Sequence, residues 1–176
     1  MKLTKIFTLV VLFIGTTLIA QNSDDKKVIK DAEMVKAEMI KTNKKIQTYF
    51  DDAKAYVIFP NVGKGALIVG AASGNGAVYE RGTLVGMAKM KQLDIGAQIG
   101  GEAYGEVIFF KTDAALQEFM DDDLEFTGQV SAVAVKEDAT LNVKYNDGVA
   151  VFTMPKGGLM AEVSVGGQKF DYTAFE

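Results

Sequence analysis

The chain contains no cysteine, no histidine and no tryptophan, and among its 176 residues there are two prolines and a single arginine, Arg81. Each absence closes off a class of function. Without cysteine there is no disulfide framework, no thiol nucleophile and no lipid-modified N-terminal thiol. Without histidine the commonest general base and zinc ligand are gone, so Ser–His and Cys–His catalysis and His-bearing metal sites are excluded. Nucleic-acid binding usually rests on an arginine-rich basic footprint, and a net charge of −4 with one arginine does not supply it. No cofactor or metal is therefore expected, and no nucleic-acid partner.

Long apolar runs are also missing, except at the start. Lys2 and Lys5 precede a stretch from Ile6 to Ile19 broken only by Gly15 and threonines. A membrane-spanning helix needs roughly 20 apolar residues, so this stretch is short for an anchor and suits a cleaved secretory signal over residues 1–20. Ala20 fits the position before the cut, although Leu18 is bulky two residues earlier. The expected mature protein is exported, periplasmic or secreted, and at most peripheral to a membrane.

Beyond residue 20 the chain divides by its glycines. None lies in 21–62, and seventeen lie between Gly63 and Gly167. The glycine-free part, 21–53, reads as an amphipathic helix: Val28, Ala32, Val35, Met39, Ile46 and Tyr49 recur at steps of three, four or seven, with Thr42 filling the gap. Lys27 and Lys45 rim that stripe on one side and Lys36 on the other, while Lys26, Lys30, Lys41 and Lys44 point away from it. Residues 21–50 hold seven lysines against five acids, and residues 51–176 hold ten basic side chains against eighteen acids. A basic amphipathic helix has two uses. Its stripe packs on the domain's own sheet, or it lies in a membrane interface with ammonium groups at lipid phosphates.

From Ala55 the period becomes two, over residues 54–176. Strands are expected at Tyr56–Phe59, ending at Pro60, at 66–72, along the alternation Leu93–Tyr104, and at Phe126–Val135, Leu141–Tyr145, Val149–Met154, Leu159–Val165 and Lys169–Ala174. Ser73-Gly74-Asn75-Gly76 and Asn146-Asp147-Gly148 read as tight turns. One internal helix starts at Thr112, turns Ala115, Leu116 and Phe119 inward and stops at Asp121-Asp122-Asp123. Glycines inside strand patterns, Gly70, Gly86, Gly96, Gly100 and Gly105 among them, imply sharp bending or close backbone approach. The expected fold is α+β: a curled, glycine-rich antiparallel β-barrel or sandwich with an N-terminal amphipathic helix and one internal helix.

Three constellations invite chemistry. Gly70 to Gly76 resembles a phosphate loop but leads into a strand-like run where such a loop must open a helix, so it reads as a hairpin. The Asp121–Asp123 run with Glu125 lacks the spacing of a calcium loop and reads as a solvated helix end. Glu102 and Glu106 share a strand face and could pair as acid and base, though nothing separates them from a solvent face.

The order of motifs from Phe59-Pro60 through Gly63–Gly70, Gly74-Asn75-Gly76, Gly82 and Gly86, Ile95–Gly101, Val107–Phe110 and Lys156–Gly167 resembles the SYLF (Ysc84-like) lipid-binding domain. The resemblance covers roughly residues 30–173. It departs where the family places a Trp-Ser pair and proline and this chain has Met87-Ala88-Lys89-Met90, and at Glu162, where the family usually has glycine. Eukaryotic members bind phosphoinositides, and some bind actin, through basic N-terminal segments. For an exported chain the resemblance implies only generic binding of an anionic phospholipid or membrane surface, through Lys27, Lys36 and Lys45 with Lys30 and Lys44. The expected function is thus non-catalytic. The alternatives are a structural or protein-interaction domain, and a carrier of an apolar ligand with Ile95, Ala97 and Ile99 lining a cavity.

Overall fold

The computed structural model describes residues 23–64, 71–93, 103–122, 124–126, 132–137, 141, 143–156 and 165–176. The expected signal segment, the strands at 66–70 and 159–164, Asp123, and Ile95, Ala97, Ile99 and Glu102 lie outside the described residues.

The N-terminal segment is helical but broken. Helix α1 runs Ser23–Thr42, a 3-10 turn spans Lys44–Ile46, and α2 spans Gln47–Asp52. Asn43 makes the break. Its extended backbone (φ −146°) leaves the helix, its side chain accepts from the Lys45 N–H at 3.1 Å, and its Nδ2 donates to the Lys136 carbonyl at 3.0 Å. A buried asparagine that caps one element and ties down a distant backbone is a stronger signal than the helical period running through it.

Strands β1 (Ala55–Lys64), β2 (Ala71–Glu80), β3 (Thr83–Leu93), β4 (Tyr104–Phe110), β5 (Val133–Ala134), β6 (Val149–Pro155) and β7 (Gln168–Ala174) form one sheet in the order β5-β6-β4-β1-β2-β3-β7, all antiparallel except β5 with β6. Helix α3 (Asp113–Met120) follows β4, capped as expected by Thr112, whose Oγ1 accepts from the Ala115 N–H at 3.2 Å. Several expectations need correction. Pro60 does not end β1; the pairing shifts between Ile58 and Gly63, and a bulge is where a strand tolerates proline. Ser73–Gly76 is not a turn but the middle of β2. The turn that joins β2 to β3 is Arg81-Gly82, both at positive φ, as are Asp147-Gly148 in the turn that was expected. Leu141–Tyr145 forms no strand among the described residues: the Tyr49 hydroxyl holds it, accepting from the Val143 N–H at 3.1 Å.

Among the described residues the strands make one curled sheet that is not closed, and neither the closure of the expected barrel nor the second sheet of the expected sandwich is seen among them. Strand parity divides it into two apolar faces. Val57, Phe59, Ile108, Phe110 and Val151 pack with Phe119 of α3 and Phe170 of β7 on one face. Tyr56, Ile58, Val107, Phe109 and Phe152 pack under Val35, Met39, Ile46 and Phe50 on the other. With helices on both faces, closure is not needed to bury them. The curl is nonetheless deep. Gln168 on β7 and Glu106 on β4 are four strand steps apart, about 19 Å in a flat sheet at roughly 4.8 Å per step, yet their side chains hydrogen-bond at 3.0 Å. One stretch of chain touches both edges: Phe126 donates to the Gln168 carbonyl and accepts from the Gly167 N–H beside β7, and Val135 donates to the Thr153 carbonyl of β6.

Glycine permits this bending through close approach. A Cβ on Gly76 would lie 2.7 Å from the Phe59 ring, and one on Gly86 would lie 2.4 Å from the Thr173 carbonyl across the β3–β7 ladder.

Candidate functional site

The expected lipid-binding lysines fall into two groups. Lys27, Lys30, Lys44 and Lys45 are exposed. Lys36 is half-buried and bound to the protein itself: its ammonium donates to the Tyr56 hydroxyl at 2.7 Å and stands 4.7 Å from the Phe50 ring centroid and 4.8 Å from that of Tyr56. Lys36 therefore fastens α1 to β1. The stripe it borders is spoken for as well, since Ala32, Val35, Met39 and Ile46 are buried against the sheet. Of the two uses open to the helix, its apolar side serves the core. Drawing it out to enter a bilayer would expose large apolar side chains worth roughly 1.5–3 kcal/mol each. What α1 and the turn after it leave outward is mostly charge, with Glu33 and Glu38 among the lysines and Met34 the large apolar side chain exposed beside them. Among the described residues no helix is long and apolar enough to cross a membrane.

A second constellation sits inside the curl. β1, β3 and β6 end, and β2, β4 and β7 begin, at the same end of the sheet, because each neighbouring pair is antiparallel. At that end, on the face shared with α3, five polar side chains are buried together. The Tyr104 hydroxyl donates to Gln92 Oε1 at 3.1 Å, and Gln168 Nε2 reaches both Gln92 Oε1 at 3.2 Å and Glu106 Oε2 at 3.0 Å. Gln92 also donates to the Gly166 carbonyl at 3.4 Å. Thr153 stands opposite Glu106 in the β4–β6 register. Glu106 has no exposure, and burial pushes its carboxyl up to about 7 against the opposing hydrogen bond from Gln168. Among the described residues, Glu106 Oε1, Thr153 Oγ1 and Gln168 Oε1 have no hydrogen-bond partner.

Glu106 was singled out in the sequence, but as half of a surface pair. The structure makes it a buried acid among neutral amides and hydroxyls. Its parity with Tyr104, Ile108 and Phe110 carried that signal, because a face with those neighbours is a core face. Gln92, on the parity of Ala88 and Met90, carried the same signal and was missed; Thr153 and Gln168 were missed with it. The acidic run after α3 serves structure where it is described: Asp122 accepts from the Tyr172 N–H at 2.6 Å and Asp121 from Gln117 at 2.9 Å.

Comparison with known proteins gives two findings. Residues 91–173 match the model of the Ysc84 family, described as "Las17-binding protein actin regulator". The chain is 34% identical over 122 residues to Beta cell expansion factor A of Aeromonas veronii, a match covering 69% of this chain and 46% of that protein. The chain thus spans about half the length of the curated relative it matches.

Proposed function

Taking as premise that the chain carries a SYLF (Ysc84-like) domain, shown by the match over residues 91–173, we propose that it is a non-catalytic, exported protein that binds anionic membrane surfaces peripherally. The family supports a binding role related to lipid or actin, and an exported chain meets lipid. The observation that carries the reading is the outward set Lys27, Lys30, Lys44 and Lys45, exposed on an N-terminal segment of net positive charge, while the rest of the mature chain is acidic. Attachment is electrostatic. α1 stays packed on the sheet, its lysines meet lipid phosphates, and the acidic remainder turns away from the bilayer.

The test is sedimentation with vesicles containing phosphatidylglycerol, at low and high salt. Each lysine near an anionic surface contributes roughly 1 kcal/mol, so replacing Lys27, Lys30, Lys44 and Lys45 with Gln should weaken binding by tens-fold or more at low salt. Wild-type binding should fade as salt shortens the screening length. Salt-insensitive binding, or full binding by the fourfold variant, would refute the reading. Export is checked by intact mass: a stable product retaining Met1 would count against it. The carrier alternative finds less support, since the rings of Phe59, Phe119 and Phe170 already pack inside the curl.

A further inference from the structure

Beside α2 lies a groove of about 390 Å3, bounded by Lys45, Thr48 and Asp52 on the helical side and by Lys111 and Tyr145 opposite. Its volume is in the range of small-molecule sites, which run from roughly 300 to 1,000 Å3. What sets it apart is unspent charge. Among the described residues, no ion pair and no hydrogen bond engages the side chain of Lys45, Asp52 or Lys111. The Lys111 ammonium stands 5.5 Å from the centroid of the Tyr145 ring, which holds it at the groove. Burial, with Tyr49 and Asp52 nearby, pushes the Tyr145 phenol up to about 12, so this wall of the groove brings no charge of its own.

Two ammonium groups around one depression favour a phosphate. A bare phosphate would also meet Asp52, whose carboxylate repels it. The complement to both signs is an anion that carries its own cation a short distance away. We propose that this groove binds a phosphoethanolamine group, its phosphate between Lys45 and Lys111 and its ammonium toward Asp52. The group is either free or the head of a phospholipid. In the second case the inference rests on the membrane reading above; the groove's charges stand without it.

The experiment titrates the protein with soluble phosphoethanolamine and, separately, inorganic phosphate, following backbone amides of residues 48–52, 111 and 143–145 by NMR. Phosphoethanolamine should give saturable shifts at these amides. Lys111→Gln removes a charge-assisted hydrogen bond and should weaken binding of both probes about tenfold. Asp52→Asn should weaken phosphoethanolamine and leave phosphate unchanged or tighter. A parallel arm compares vesicles of fixed phosphatidylglycerol content in which the remaining lipid is phosphatidylethanolamine or phosphatidylcholine. Preference for the first that vanishes in Lys111→Gln assigns the lipid as the source; soluble binding without that preference assigns the free group. Absence of shifts at the groove, or shifts unaltered by Lys111→Gln, would overturn the proposal. Equal effects of Asp52→Asn on both probes would overturn its ammonium half. Because these variants leave Lys27, Lys30 and Lys44 in place, failure here and loss of salt-sensitive vesicle binding are separate results.

Discussion

Replacing Glu106 with Gln should stabilise this protein at alkaline pH and remove much of its dependence on pH. The carboxyl is wholly buried, its contacts are neutral amides and hydroxyls, and burial lifts it from 4.5 to about 7. The folded state therefore holds this proton more tightly than the unfolded chain. Below about pH 4.5 both states are protonated and the contribution to stability is complete. As pH rises towards 7 the unfolded chain releases the proton and the folded chain keeps it, so stability falls, and it levels off above the folded value. Each pH unit in that window is worth roughly 1.4 kcal/mol, so the whole loss is about 3 kcal/mol. The Gln variant keeps the size and hydrogen-bonding shape of the neutral acid and brings an amide donor towards Thr153 and Gln168, whose oxygens lack partners among the described residues. It should match wild type near pH 4.5 and exceed it by about 3 kcal/mol at pH 8. Urea unfolding followed by far-UV circular dichroism from pH 5 to 8 measures this, the midpoint separation at pH 8 being about 1–3 M for ordinary m-values. Parallel pH profiles for the two proteins, or a wild type that gains relative stability as pH rises, would refute the reasoning.

Gly86→Ala should lower Tm by roughly 4–8 °C, because the new Cβ would lie 2.4 Å from the Thr173 carbonyl and the β3–β7 ladder must shift. Gly63→Ala, whose Cβ would meet only that of Ala103 at 3.9 Å among the described residues, should move Tm by less than about 2 °C; equal losses in differential scanning fluorimetry would sink the close-approach account. Lys36→Gln should cost about 1–2 kcal/mol in urea unfolding, since it removes the bond to Tyr56 and the contacts with two rings. Lys27→Gln should stay within about 0.5 kcal/mol, and a Lys36 variant as stable as that one would return Lys36 to the free lysines.

Much of the fold was legible because its signals are local. The α3 cap at Thr112, the inward set Ala115, Leu116 and Phe119, and the turn at Asp147-Gly148 follow from neighbours within a few residues. The apolar run Tyr56–Phe59 announced a strand, and the structure covers that strand on both faces. What the sequence hid depends on partners far along the chain. Nothing near Asn43 says that Lys136 will take its amide, and nothing near Leu141–Tyr145 says that a tyrosine ninety residues earlier will replace a strand partner. Gly86 and Gly105 do sit where a neighbour approaches closely, but a curl and a closed barrel make the same local demand. Only the cover that α1, α2 and α3 give to the two faces separates them.

The same division runs through the candidate sites. An exposed lysine acts through its charge alone, and the helical positions of Lys27, Lys30, Lys44 and Lys45 in the sequence agree with their exposure in the structure. Lys36 shares their spacing and differs only in what lies beneath it, two rings and a hydroxyl contributed by α2 and β1. Glu106 takes its character from Gln168, sixty-two residues away, and from burial on a face that two layers of the fold create. The groove at α2 likewise joins Lys45 to Lys111 and Tyr145, three positions that no sequence period connects. Charge density is thus written in the chain, while the selection of a particular headgroup is written in which charges the fold leaves unpaired. A membrane surface can be met by the first. Discrimination between headgroups requires the second, and that is where Lys111 and Asp52 would act.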